Sequence, residues 1–160
     1  LPPGVLNVVH GGREAVDAII EHPLIKAISF VGSTPIARDI HARGCARGKR
    51  VQAAGGAKNF VLVMPDADVA PTATGIMEAA FGCAGERCMA GSTAIAVGKA
   101  AETVIPELVN VVSRLKVGPT DRDPAAQMGP VITREHCQRV SHLVTHAADA
   151  GAKPLTDGRT

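Results

Sequence analysis

The sequence predicts an α/β fold, parallel-sheet layers covered by helices, and three observations carry that reading. Short β-branched segments alternate with segments of helical period, the order expected when parallel strands are joined by helical crossovers. At 160 residues, 46% of them apolar and 20% charged, the chain is long enough and apolar enough to bury a core. The alternation fails once, after VQAAGG, where two strand-like runs follow one another. That break is the expected boundary between two α/β units, 1–54 and 55–160.

Taken in order, VLNVV (5–9) reads as a strand and AVDAII as a helix, with Val16, Ile19 and Ile20 at helical spacing. KAISFVG (26–32) is a strand of the buried kind. In TPIARDIHARG, Pro35 stands in the first helical turn, Ile36 and Ile40 share a face, and Gly44 is the expected stop. KRVQAA (49–54) and NFVLVM (59–64) are two further strands, bent apart at Gly55 and Gly56. A helix start is marked by Asp66, Asp68 and Pro71, and its apolar stripe runs Ala73, Ile76, Met77, Ala80, Phe81, Ala84. TAIAVG (93–98) is the next strand, and Val104, Leu108, Val112 and Leu115 line the next helix. A Pro/Gly-rich loop, KVGPTDRDPAAQMGP, leads to a last helix whose expected core face is Val140, Leu143, Val144 and Ala147.

The formal net charge is only +2 and no basic or acidic block occurs, so charge points neither to nucleic acid nor to an anionic membrane. Aromatics make up 2%, with no Trp or Tyr, which leaves little for stacking bases. Apolar runs are strand-length, and the start lacks the charged-then-apolar order of a signal peptide, so no membrane association is expected. Four cysteines (Cys45, Cys83, Cys88, Cys137) in a chain of this length suggest no disulfide framework, and a cytoplasmic location is expected. Beginning at Leu1 and ending KPLTDGRT, where a new element is about to start, the chain reads as an internal stretch of a longer protein.

In parallel α/β folds, ligands gather beyond the carboxyl ends of strands, where helix N-terminal amides attract anions. HGGRE (10–14) has two adjacent glycines but does not match the G-x-G-x-x-G fingerprint. FVGST (30–34) is the better candidate: Gly32 permits a close backbone approach, and Ser33 and Thr34 offer hydroxyls and amides to a phosphate. The same residues also suit a plain helix N-cap, and the residues alone leave both readings open. The second candidate is AAFGCAGERCMAG (79–91), where Cys88 follows a helix end through Gly85-Glu86-Arg87. Its thiol is expected to project from a turn, where a cation or backbone amides favour the nucleophilic thiolate. An inert, buried thiol is the plainer alternative. The C-x4-C spacing is not that of metal ligands, and none of the six histidines stands nearby in sequence, so no metal is expected.

FGCAGERCMA resembles the cysteine motif of the aldehyde dehydrogenase family, F-x-x-x-G-[QE]-x-C-x-A, with Phe81, Gly85, Glu86, Cys88 and Ala90 in place. LPPGVLNVVHG and FVGST resemble the family's cofactor domain, and MGPVI (128–132) and the late DGR resemble its catalytic domain, all in the family's order. The resemblance covers essentially the whole chain. It implies that residues 1–54 end a Rossmann-like NAD-binding domain and that 55–160 begin the catalytic domain. The wording of ISFVGST, KRVQAAGGAKN, MPDAD and GERCMA is closest to the CoA-acylating branch, which acts on methylmalonate-type semialdehydes.

From this resemblance follow roles for single residues. Cys88 is implied as the nucleophile that forms a thioester from a small aldehyde, and its backbone amide as one oxyanion donor. Gly32, Ser33 and Gly55 are implied at the NAD site, and Arg87, otherwise a solvated loop arginine, as a clamp for the substrate carboxylate. Glu86 is implied as a turn residue and Cys83 as packing. Ala54 stands where hydrolytic members carry the glutamate of E-L-G-G-K, and a methyl group cannot activate water. The thioester is therefore expected to pass to CoA as co-substrate. Two other outcomes are weighed: a catalytically silent α/β module that binds a nucleotide or supports assembly, and a hydrolytic enzyme using another base. Full-length members of the family form homo-oligomers.

Overall fold

Parallel strands cannot be joined by a tight turn, and both strand pairs of this chain are bridged by a helix. The computed structural model describes residues 1–159, in two compact units, Leu1–Gly56 and Ala57 onwards. The first contains α1 (Arg13–Glu21), β1 (Ala27–Val31), α2 (Thr34–Ala46) and β2 (Arg50–Ala54). The second contains β3 (Phe60–Val63), α3 (Val69–Phe81), β4 (Thr93–Ala96), α4 (Ala100–Ser113) and α5 (Arg134–Asp149). The expected α/β class is the one adopted, and no helix is long and apolar enough to cross a membrane among the described residues.

In the first unit β1 and β2 pair in parallel from Ala27–Arg50 to Val31–Ala54. Ile20 and Ile40, both fully buried, give α1 and α2 their inward faces, each worth about 1.5–3 kcal/mol of transfer free energy. Helix α1 ends on an unusual cap. The Lys49 ammonium, 8% exposed, donates to the carbonyls of Ile19 (3.1 Å), His22 (2.7 Å) and Ile25 (2.9 Å). Of these, Ile19 lies in the last turn of α1 and His22 is its C-cap, so the cation sits at the end that the helix dipole favours. On the outer side Arg43 bridges Asp17 (2.6 Å) and Asp39 (3.1 Å), so its pKa is raised, chiefly by the Asp17 hydrogen bond.

In the second unit β3 and β4 pair in parallel from Phe60–Thr93 to Val63–Ala96. Val63, Ile76, Ala100 and Val104 form the core, with Val61, Ala67, Val69, Ala96 and Leu108 packed around them. Between α4 and α5 the long loop is pinned by Lys116–Asp123 (3.1 Å) and by the Gly118 N–H donating to the Met128 carbonyl (3.0 Å).

Four details differ from the sequence reading. Residues 5–9 form no strand, because a strand needs a ladder partner and none of the described strands pairs with them; Val5, Leu6, Val8 and Val9 are exposed. Gly44 is not a stop: α2 runs on to Ala46 and ends before Gly48, which takes φ +71°. Gly44 is instead where α2 presses on β2, since a Cβ there would lie 2.6 Å from Val51 Cγ2. Helix α3 stops at Phe81 rather than continuing to Ala84. Finally, the apolar stripe of α5 buries nothing, with Val140 40%, Leu143 52% and Val144 37% exposed: periodicity marks an apolar face but not what covers it.

Two glycines give opposite expectations. Gly44→Val should lower stability by about 2 kcal/mol through overpacking against the stiff Val51 side chain. Gly75→Ala, in α3 with nothing within 4 Å of the new methyl, should raise it by about 0.5–1 kcal/mol. Urea midpoints of the two variants check both.

Candidate active site

The cysteine turn begins where α3 fails. Gly82 leaves the helix, then Cys83 (φ +52°), Ala84 (φ +54°) and Gly85 (φ +72°) take three consecutive left-handed conformations. For the two non-glycine residues this conformation costs about 1–2 kcal/mol each, so surrounding contacts must enforce it. Cys83 is exposed rather than packed, which corrects the expectation from sequence: the reversal of the backbone turns it outward. The chain then closes a tight turn in which the Ala90 N–H donates to the Arg87 carbonyl (3.0 Å), with Cys88 and Met89 at its corner. Cys88 is exposed, and its N–H makes no hydrogen bond among the described residues.

Three side chains brace this turn. Arg87 folds back over Gly82, where a Cβ would lie 2.1 Å from its Nη2, and donates to the Glu78 carbonyl (2.6 Å) at the end of α3. Glu86 lies 3.3 Å from His136 Nε2, in the first turn of α5. Arg139 donates to the same ring at Nδ1 (3.2 Å). The third is Asn59, which drew no attention in the sequence. Its Nδ2 donates to the carbonyls of both Cys88 (2.8 Å) and Ala90 (3.0 Å). The sequence placed it only as the first residue of the NFVLVM strand, and that says nothing of where the amide reaches.

In the other unit the candidate anion site lies at the carboxyl ends of β1 and β2. The Gly32 N–H extends the ladder to the Ala54 carbonyl (3.1 Å), and a Cβ on Gly32 would strike the Phe30 ring (2.5 Å). Ser33 is the N-cap of α2, yet its exposed hydroxyl makes no capping bond. Thr34 differs: its Oγ1 accepts the Gly56 N–H at 2.9 Å. A Cβ on Gly55 would lie 2.7 Å from that same oxygen, which is why glycine stands there. Of the two hydroxyls, Thr34 is occupied in joining turn to strand and Ser33 is left over. A shallow depression of about 260 Å³ is lined by Thr34, Ala37, Arg38, His41, Ala53 and Gly55, without Ser33. Ala54 is half-buried at the end of β2 and presents a methyl group, with no carboxylate at that position.

The late DGR segment is tied to α5, Arg159 donating to Thr145 Oγ1 (2.8 Å) and to Asp157. Among the described residues no three His, Cys, Asp or Glu side chains converge as a metal site.

The chain, a parallel α/β scaffold carrying an exposed cysteine on a braced turn, belongs to the aldehyde dehydrogenase family, whose profile matches residues 1–160. Among curated relatives, the malonate-semialdehyde dehydrogenase of Pseudomonas aeruginosa is 49% identical over 160 residues, covering 99% of this chain and 32% of the relative. The rat mitochondrial methylmalonate-semialdehyde/malonate-semialdehyde dehydrogenase (acylating) is 50% identical over 158 residues, 99% of this chain and 29% of that protein. A methylmalonate-semialdehyde dehydrogenase of Sinorhizobium meliloti, solved with NAD, superposes with TM-score 0.90 at 49% identity, covering 99% of this chain and 32% of that one. The chain thus spans about a third of the length of the relatives it matches. The family resemblance read from the motifs is borne out.

Arg159 holds the Asp157 carboxyl down to about 2 from an ordinary 3.8, mainly by side-chain hydrogen bonding. A depressed folded-state value means the contact is fully present above the ordinary carboxylate range and is lost as pH falls through about 2. Carbon NMR titration of Asp157 should show that low midpoint, and Arg159→Ala should return it towards 3.8.

Proposed function

We propose that the protein carrying this chain is an NAD-dependent, CoA-acylating dehydrogenase of small carboxylated aldehydes of the malonate- or methylmalonate-semialdehyde class. The observation that carries this reading is the exposed Cys88 on a braced turn with its N–H unspent. The names of the relatives and the absence of a carboxylate at Ala54 support it. In this reading residues 1–54 end the cofactor-binding domain and 55–160 begin the catalytic domain.

The Cys88 thiolate adds to the aldehyde carbonyl, and the Cys88 N–H donates to the oxyanion of the resulting thiohemiacetal. NAD, when bound, supplies the acceptor for the hydride that leaves this adduct. Collapse of the oxyanion leaves an acyl thioester on Cys88. Ala54 has no proton-accepting group to activate water, so the thioester lasts until the CoA thiolate attacks it, expels the Cys88 thiolate and carries off the acyl group. Ser33 suits the pyrophosphate of NAD. It sits at a helix N-terminus, and its hydroxyl is exposed and uncapped. Gly32 and Gly55 keep the backbone low beside it. Arg87, anchored through one N–H on the Glu78 carbonyl, keeps its other donors for the substrate carboxylate. Nothing here involves nucleic acid or membrane, and a cytoplasmic homo-oligomer is part of the same reading.

The test uses the protein at the length of its relatives. With malonate semialdehyde and NAD, NADH should form beyond about one equivalent per site only when CoA is present, with the acyl-CoA found by mass spectrometry; a free acid formed at the same rate without CoA would sink the acylating assignment. Cys88→Ser should reduce turnover by about three orders of magnitude or more. Ser33→Ala removes one hydrogen bond to a charged group, worth about 1.5–3 kcal/mol, and should weaken NAD binding roughly 10- to 100-fold in calorimetry.

A further inference from the structure

Asn59 is fixed before it reaches the turn. Its carbonyl accepts the Thr93 N–H (3.2 Å) and the Ser92 hydroxyl (3.2 Å), so the residue is locked to the chain that leaves the turn for β4. From that base both hydrogens of its amide are spent on the turn itself, on the carbonyls of Cys88 and Ala90. The turn has little else to hold it. Backbone bonds within and around it are few: Glu86 N–H to Cys83, Ala90 N–H to Arg87, and Gly91 N–H to Ala79. Upstream, Cys83 and Ala84 sit in conformations their side chains disfavour. Of the three bracing side chains, Asn59 alone grips carbonyls of the turn; Arg87 grips the end of α3 and Glu86 a helix.

We infer that Asn59 is a positioning residue for the nucleophile: by fixing the Cys88 and Ala90 carbonyls it holds the backbone on the C-terminal side of Cys88 and so aims the Cys88 thiol. The inference rests on Cys88 being the nucleophile of the proposed reaction. An amide is required rather than merely a side chain of that size. An ionised Asp of the same shape offers only acceptors and would set a carboxylate against two carbonyl oxygens.

The experiment compares Asn59→Ala and Asn59→Asp with the unaltered protein at the length of its relatives. The rate of iodoacetamide alkylation at Cys88, mapped by mass spectrometry, is measured beside kcat, the KM values and Tm. Both variants should lose about 10- to 100-fold in kcat with KM for aldehyde and NAD within about twofold, since displacing a reacting group by an ångström costs roughly that much. Cys88 alkylation should shift by at least about threefold, and Asp should be worse than Ala although it fills the same space. Alkylation and kcat within about twofold of the unaltered protein in either folded variant would overturn the inference. So would failure of both variants to fold, which would make Asn59 a residue of the fold. Alkylation reads the turn whatever the reaction, whereas Cys88→Ser reads the reaction, so the two ideas fail separately.

Discussion

Pairing Phe60 with Thr93 places the residues just before each strand, Asn59 and Ser92, side by side, and the cysteine turn hangs from that junction. A parallel ladder is rigid along its length, and its strands are backed by the apolar cluster around Ile76 and Val104. What it fixes at its entry is therefore well located. Helix α3 has to end, reverse through left-handed residues and return to the start of β4, and the ladder decides where that return must land. An amide on the neighbouring strand entry then has the reach to fasten the passing carbonyls. A thiol on this turn owes its position to a sheet it never touches in sequence.

The first unit shows the same economy at the β1–α2 turn. Two adjacent hydroxyls begin the helix, and they divide the work: Thr34 bonds the Gly56 amide and so joins the turn to the end of β2, while Ser33 keeps a free hydroxyl at the helix N-terminus. Neither role follows from helix capping, which both residues suit equally well. Gly55 belongs to this arrangement because any side chain would displace the Thr34 oxygen. At the other end of the unit, Lys49 closes α1 from the far side of the chain.

How much of this could be read from sequence depended on the range of the interaction. Strand–helix alternation is a local pattern, and it located β1, α2, β2, β3, α3 and β4 closely. The cysteine motif was legible because its residues are contiguous, although Cys83, expected as packing, proved to be exposed on a left-handed backbone. VLNVV carries strand propensity but finds no ladder among the described residues, and propensity alone does not make a strand. Gly44 looked like a terminator because glycine often is one; only the position of Val51 shows it to be a contact point. Asn59, the Glu86–His136 pair and the division between Ser33 and Thr34 all depend on contacts across 20 or more positions, and no spacing rule encodes them.

Met89 stands between the two carbonyls that Asn59 grips, and its side chain is 79% exposed. The peptide groups on either side of it are held by main-chain atoms, the Cys88 carbonyl and the Ala90 N–H, so its own side chain takes no part in keeping the turn in shape. Residue 89 is consequently a place where size and polarity are free to change without carrying the neighbouring sulfur along. Exchanging residue 89 for a bulkier or more polar one would change what lies beside the Cys88 sulfur while leaving that sulfur where it is.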